Sequence, residues 1–559
     1  MNAETFFKHF ATFAEAPNGV TKLREMILQL AVQGKLVPQD PKDELATALF
    51  EQIQLDRSRL IADGIIRRGK PLPAVGVDEL PFQVPASWVW VRFDDVGDWG
   101  AGATPNRGRL DYFGGDIKWF KSGELNEAYL EDSEEKITEL ALKECSLREN
   151  RPGDVLVAMY GATIGKVGIL NVPATTNQAV CACTCYHGVF NRYLFLMLKA
   201  FKSYFISNSS GAAQPNFSKE KIVRTPFPLP PLAEQKRIVS KVDQLMKLCD
   251  ELESRQTARR ESRMRLVGAT LDRVVSTSST AEFPKHVNRL RDQFDRLFDT
   301  PTTIPQLRQT ILQLAVQGKL VPQDPNDEPV PSGIFNINQL GGGPDRKVFL
   351  KAVSNILVPA TWALAPLAAV SEAIVDCPHS TPKWTTTGRM CVRTNQFRAG
   401  SLDLTDVRFV NDATFLERIQ RLRPVANDIL YSREGGILGI ACRIPEKVEL
   451  CLGQRMMVIR SATVVDPAFL EMILNSPLIT NIAKNRTTGG AAPRVNVATV
   501  KAYPIPVPPR AEQKRIVEKA NYLMKLCDDL ESQLFESETQ STQLLSAAVH
   551  HLLNASSTV

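Results

Sequence analysis

Two stretches of this chain are near copies of two others, and that constrains its architecture more than any local pattern. ILQLAVQGKLVPQDP runs from 27 to 41 and again from 311 to 325, while AEQKRIV runs from 233 to 239 and again from 511 to 517. The offsets are 311 − 27 = 284 and 511 − 233 = 278. Self-similarity at a fixed period is the signature of a repeated architecture. The 559 residues therefore read as a tandem duplication of a unit of roughly 280 residues, too long for one core.

The copied parts have helical spacing. Phe10, Phe13, Pro17 and Leu23 fall on Phe294, Leu297, Pro301 and Leu307, so a helix, a proline turn and a second helix recur. Between 23 to 44 and 307 to 328 only three of 22 positions differ. Leu23, Ile27, Leu30 and Gly34, like Leu307, Ile311, Leu314 and Gly318, form an apolar seam ending at a C-cap glycine. A helix over 46 to 62 and a polar connection follow. In the second copied block Ile238, Val242, Leu245, Cys249 and Leu252 step 4, 3, 4, 3, and Ile516, Ala520, Leu523, Cys527 and Leu530 do the same. That spacing predicts a coiled-coil seam, with pairing of the two seams as the economical arrangement. Over 233 to 254 against 511 to 532, 17 of 22 positions are identical. The first helix is expected to run on to about Val275 through Arg255, Arg259, Arg260, Arg263 and Arg265. These read as a solvated face, with a phosphate grip as the alternative.

Between the copies the pattern changes to short apolar runs broken by Gly, Pro and Asn. WVWVRF, IKWF, GDVLVAMY, GKVGIL and TTNQAVCACTC read as strands and 191 to 208 as a helix. RMCVRTNQF, DVRFV, NDILYSRE, ILGIACRI and RMMVIRS answer them in the second half, with a helix at 466 to 484. The order matches and the side chains do not.

CACTC places Cys181, Cys183 and Cys185 on one face of a strand, a buried face rather than zinc ligands, because a tetrahedral site needs a fourth donor and wider spacing. GATIGK (161 to 166) has three residues between its glycines where a phosphate loop has four, and Val167 where the loop has Ser or Thr. No methyltransferase, dinucleotide, serine-hydrolase or metalloprotease word occurs. No apolar run is long and clean enough to span a bilayer and no signal peptide is evident, so a cytoplasmic protein with no membrane partner is expected. The net charge of +6 permits a nucleic-acid partner without demanding one.

Segments that stayed the same face the same partner or each other, whereas segments that kept a framework and changed their loops do one job on different targets. Here the residues reach a family. ILQLAVQGKLVPQDP, PPLAEQKRIV with LMKLCDELE, and DCPHSTP (376 to 382) resemble those of the specificity subunit of type I DNA restriction and modification enzymes, over essentially the whole chain. The resemblance implies two target-recognition domains, each reading one half of an interrupted asymmetric double-stranded DNA sequence, separated by antiparallel helices. It implies a non-catalytic chain that works with two modification subunits, which methylate adenine N6 from S-adenosylmethionine, and two ATP-dependent restriction subunits. No cofactor is expected on this chain, with S-adenosylmethionine, ATP and Mg belonging to those partners. A helix of about 24 residues is roughly 36 Å long, close to one turn of DNA. A coiled-coil scaffold clamping two identical proteins without nucleic acid is the alternative.

The expected fold class is α+β. It comprises a helical region at 1–85, a mainly β α/β target-recognition domain at 86–225, a central coiled-coil spacer at 226–356, a second recognition domain at 357–503 and a helix at 504–559. An internal pseudo-twofold repeat relates the halves. Bases are read by Arg, Lys, Asn, Gln, Ser and Thr on loops that reach a groove. In the first domain the candidates are Thr104, Asn106, Arg107, Lys118, Lys121, Ser122, Tyr160, Lys166, Gln214 and Asn216. In the second they are His379, Ser380, Thr381, Lys383, Arg393, Asn395, Gln396, Ser432, Arg433, Arg486, Thr487 and Arg494.

Overall fold

The computed structural model describes residues 10–126, 129–210, 215–279, 281–331, 333–335, 337, 344–354, 356–488 and 493–554. They form two compact units, one of Met1–Arg259 with Glu538–Val559 and one of Arg260–Ser537. Each unit has its own hydrophobic core.

The first unit begins with helices Phe10–Ala14, Gly19–Val32 and Ala46–Ala62. Leu23, Ile27 and Leu30 are buried along one stripe, as their spacing requires. Gly34 ends that helix at φ 68°, with Lys35 N–H donating to Leu30 O at 2.9 Å and Gly34 N–H to Ala31 O at 3.3 Å. This is a Schellman closure, open to Gly because the left-handed turn strains other residues. A Cβ on Gly34 would also lie 2.5 Å from Pro85 Cδ. The second unit repeats the device after helix Ile304–Val316. Gly318 also has φ 68°, and its Cβ would lie 2.4 Å from Pro359 Cγ.

Each strand-rich domain, the reader that the resemblance implies, starts and ends on one two-stranded ribbon. Val89–Arg92 pairs antiparallel with Pro226–Leu229, and Ala363–Pro366 with Pro504–Val507. Prolines alternate along PFPL and PIPV, where a ribbon tolerates residues that cannot donate. In the first reader the main sheet runs Gly97–Ala101, Val180–Cys185, Val155–Ala158, Val167–Leu170, Tyr129–Leu130. In the second it runs Ser371–Asp376, Met456–Ser461, Ile429–Ser432, Ala441–Arg443, the same order without the last strand. A smaller sheet also recurs. Phe113–Phe120 pairs antiparallel with Glu135–Ile137 and parallel with Thr175–Thr176, as Arg389–Val392 does with Arg408–Val410 and Leu450–Leu452. The framework is one, although few side chains are shared.

The two long helices are Leu232–Ser276 and Arg510–Asn554. The first ends where the sequence predicts, and the second runs well beyond its apolar seam. Their copied opening word fastens each reader from within its unit. Glu234 accepts from Trp88 Nε1 at 2.9 Å and Gln39 Nε2 at 2.6 Å. Gln235 accepts from Phe190 N–H at 2.8 Å, and Arg237 pairs with Asp43 at 2.6 Å. Glu512, Gln513 and Arg515 repeat these bonds with Trp362 and Gln323, Asp466, and Asp327. Burial raises the carboxyl pKa of both Glu234 and Glu512. AEQ is thus an internal junction in each unit.

The seam residues enter the cores of their own units. Ile238, Val242, Leu245 and Cys249 are buried and Leu252 half-buried in the core that holds Leu23, Ile27 and Leu30. Ile516, Ala520 and Cys527, with Leu523 and Leu530, lie in the core that holds Leu307 and Ile311. Arg24 pairs with Asp250 and Glu253 across the first junction, and Arg308 with Asp528 and Glu531 across the second. The first of these cores also holds Leu545 of the second long helix, and the second holds Val267 and Leu271 of the first. Burying a Val, Leu or Ile there is worth about 1.5–3 kcal/mol.

Two predicted helices are each split. Residues 191 to 208 form Asn191–Ala200 and Lys202–Ser207, and 466 to 484 form Pro467–Leu474 and Pro477–Asn485, where Pro477 starts a new first turn. Cys181 and Cys183 are fully buried on strand Val180–Cys185. The arginine run lies in helix, with Arg259 paired to Glu15 in the first unit and Arg263 to Asp299 in the second. No described helix is long and apolar enough to cross a membrane.

Candidate nucleic-acid interface

A hairpin turn carries a candidate loop in each reader. In the first, Val155–Ala158 and Val167–Leu170 are antiparallel and GATIGK is the turn between them, not the strand-to-helix passage of a phosphate loop. A third segment is laid against that turn. Gly161 N–H donates to Pro215 O at 2.8 Å and Phe217 N–H to Met159 O at 2.9 Å. The second reader repeats it, Gly435 N–H donating to Pro493 O and Val495 N–H to Arg433 O, both at 2.9 Å. At equivalent places stand Asn216 and Arg494, related by the second repeat offset (494 − 216 = 278). Asn216 exchanges both backbone hydrogen bonds with Ser210 (2.8 and 2.9 Å), and Arg494 with Thr488 (3.0 and 2.9 Å). Both residues are exposed. A fixed backbone under a free polar side chain is the geometry of a reading residue.

Most other candidates in the first reader serve their own loops. Arg107 pairs with Glu135 at 2.6 Å and lies over the Phe113 and Trp119 rings. Lys121 pairs with Glu134 and Glu135, which raises its pKa, while Arg107 first and Lys121 second lower that of Glu135. Lys118 donates to Glu131 O at 2.5 Å, and Lys166 to Asn126 Oδ1 at 2.6 Å. Asn106 caps its own turn by accepting from Gly108 N–H at 2.9 Å. Thr104 is hydrogen-bonded to Gln178, and Ser122 opens a short 3₁₀ turn. Tyr160 bridges to Asn216 through its backbone. Gln214 lies outside the described residues.

In the second reader three candidates are buried, which corrects their assignment to the surface. Gln396 accepts from Arg393 N–H at 2.7 Å and donates to Asp406 O at 2.9 Å. Ser432 bonds Ile437 O and Ile440 N–H, closing its hairpin. Arg433 holds Asp376 through two bonds of 2.8 and 2.6 Å; burial works against its charge, but Asp376 more than offsets this and raises its pKa. Asp376 also lies 3.3 Å from His379 Nε2. Arg393 pairs with Asp406 at 3.1 Å, Ser380 O accepts from Arg418 at 2.9 Å, and Asn395 O accepts from Arg398 at 2.8 Å. Thr487 donates to Lys484 O at 3.1 Å. His379, Thr381, Lys383, Arg486 and Arg494 remain exposed.

Two glutamines do not stand out in the sequence. Gln178 holds Thr104, and Gln454 donates to His379 O at 2.5 Å, so the turn before the buried strand ties the loop after the first strand in both readers. Their signal is the paired words NQAV and GQRM. Arg455, at φ 69°, is a third such residue; a Cβ on Gly435 would lie 3.6 Å from its guanidinium.

One framework built twice, with different polar groups on equivalent exposed edges, defines a two-domain recognition protein. The model of the type I restriction modification DNA specificity domain matches residues 85–259 and 399–537. The chain belongs to that family, whose domain provides DNA specificity. It is 29% identical to the type I restriction enzyme EcoAI specificity subunit of Escherichia coli, over 92% of this chain and 90% of that one. It is 28% identical to the EcoEI specificity subunit of Escherichia coli, over 96% and 94%. Among solved structures, the HsdS subunit from Thermoanaerobacter tengcongensis is similar at 16% identity and a TM-score of 0.38, over 86% of this chain and all of that one.

Proposed function

We propose that each reader recognises one half of an interrupted DNA sequence, that the long helices set the gap, and that the chain carries no catalytic step. Two modification subunits methylating adenine from S-adenosylmethionine and two restriction subunits using ATP and Mg complete the assembly. The observation that carries this reading is the pair of equivalent ladders at Asn216 and Arg494, one framework presenting an amide in one reader and a guanidinium in the other. Amides match adenine and guanidinium matches guanine in the major groove.

The test is exchange of residues 86–225 for another family member's reader, followed by methylation mapping in cells that also supply the modification subunits. One half-site is expected to change while the other half and the gap stay. Change in both halves overturns the reading. Inserting one helical turn into both long helices should alter the gap alone.

A further inference from the structure

Around one opening in the second unit, most residues differ from their counterparts in the first. In the second unit a cavity of about 710 Å³ opens between the end of helix Leu232–Ser276, helix Ile304–Val316 and helix Pro477–Asn485. Its lining includes Gln309 and Thr310. These are two of the three positions that differ between 23–44 and 307–328, standing where the first unit has Glu25 and Met26.

The neighbouring differences act in the same direction. Gln306 replaces Lys22 (306 − 284 = 22), and Gly268 stands where the second long helix has Ser546 (268 + 278 = 546). In the first unit Lys22 Nζ donates to Ser546 Oγ at 2.6 Å, joining the two helices, and Met26 is only 1% exposed. In the second unit Gln306 and Thr310 are shorter than Lys22 and Met26, and Gly268 is smaller than Ser546.

What remains is unsatisfied. The amide oxygens of Gln306 and Gln313 are buried without a hydrogen-bond partner. Asp272, the one charged residue on the lining, is exposed and has no ion-pair partner among the described residues. Leu271, Val275 and Leu478 offer apolar wall for an aliphatic stem. A volume of this size lies within the range of ligand pockets, roughly 300–1,000 Å³.

We infer that this cavity receives an arginine- or lysine-bearing segment of a protein partner, its stem against Leu271, Val275 and Leu478 and its charge beside Asp272. The inference concerns a protein contact and stands whether or not the DNA reading does.

The probe is acetyl-Leu-Arg-amide, titrated calorimetrically into the full chain, with the neutral citrulline peptide as comparison. One equivalent is expected to bind, with citrulline costing about tenfold or more in affinity. Gln306→Lys with Thr310→Met, which restores the first unit's residues, should abolish binding. Asp272→Asn, a surface change that spares the fold, should remove the preference for arginine. No binding of the arginine peptide, equal binding of the citrulline peptide, or undiminished binding to the filled variant overturns the inference.

Discussion

Lys319 donates its ammonium to Val275 O at 2.7 Å and to Thr277 O at 2.8 Å, closing the C-terminal end of the long helix Leu232–Ser276 within the second unit. Lys35, its counterpart in the first unit (319 − 284 = 35), donates to Leu553 O at 2.5 Å, and Leu553 is the counterpart of Val275 (275 + 278 = 553). The lysine of QGKLVP therefore ends a long helix in each unit. Final-turn carbonyls have no helical donor and carry the negative end of the dipole, so a cation there is favoured. Lys35→Met and Lys319→Met should each destabilise the chain by about 1–2 kcal/mol. Urea unfolding of the two variants checks this; an unchanged midpoint in either means that end is held by other contacts.

Acid should release the connection before the first reader. Glu79 accepts two bonds from Arg92, at 2.8 and 3.0 Å, and one from Gly76 N–H at 2.9 Å. Arg92 first and Gly76 second lower its carboxyl from 4.5 to about 2. A depressed folded pKa means the contribution is full above pH 4.5 and lost as pH falls toward 2. Proteolytic cleavage within 70–80 is expected to accelerate across that window and to be fast at all pH values in Glu79→Gln. A rate in the variant that still tracks pH there would assign the effect to another group.

The helical frame is legible in the sequence because its signals are local. A 4, 3 spacing of apolar residues reports a buried stripe, and Gly34 and Gly318 report left-handed turns. The same spacing does not say what buries the stripe: Ile238 and Ile516 read as coil seams, and the cores they enter also hold Leu23 and Ile311 of the short helices. The reader edge is less legible for a related reason. A polar side chain looks alike in sequence whether it faces solvent or a backbone folded against it. Arg433 meets Asp376 from 57 residues away, and Ser432 closes its own hairpin. Asn216 and Arg494 stand out only through their backbone ladders.

Gln178 and Gln454 should act as loop clamps. Gln454→Ala removes the donor to His379 O and should cost about 1 kcal/mol locally. Amide exchange at 378–381 should rise while 102–106 is unchanged, and Gln178→Ala should do the reverse. Equal acceleration of both loops in one variant would show global loosening instead of a clamp.

Arg494 and Asn216 allow the sharpest separation of reading from mere attraction. A bidentate side chain on a base edge discriminates by about 1–3 kcal/mol, whereas a phosphate contact weakens all sequences alike and reduces the salt slope by about one. Arg494→Ala, bound to modification subunits and challenged with randomised duplexes, should relax selection at one position of one half-site, with the salt slope reduced little. Asn216→Ala should do the same in the other half. Uniform weakening with a shallower slope would place these residues on phosphate, and the equivalent ladders would then position the DNA while other side chains read it.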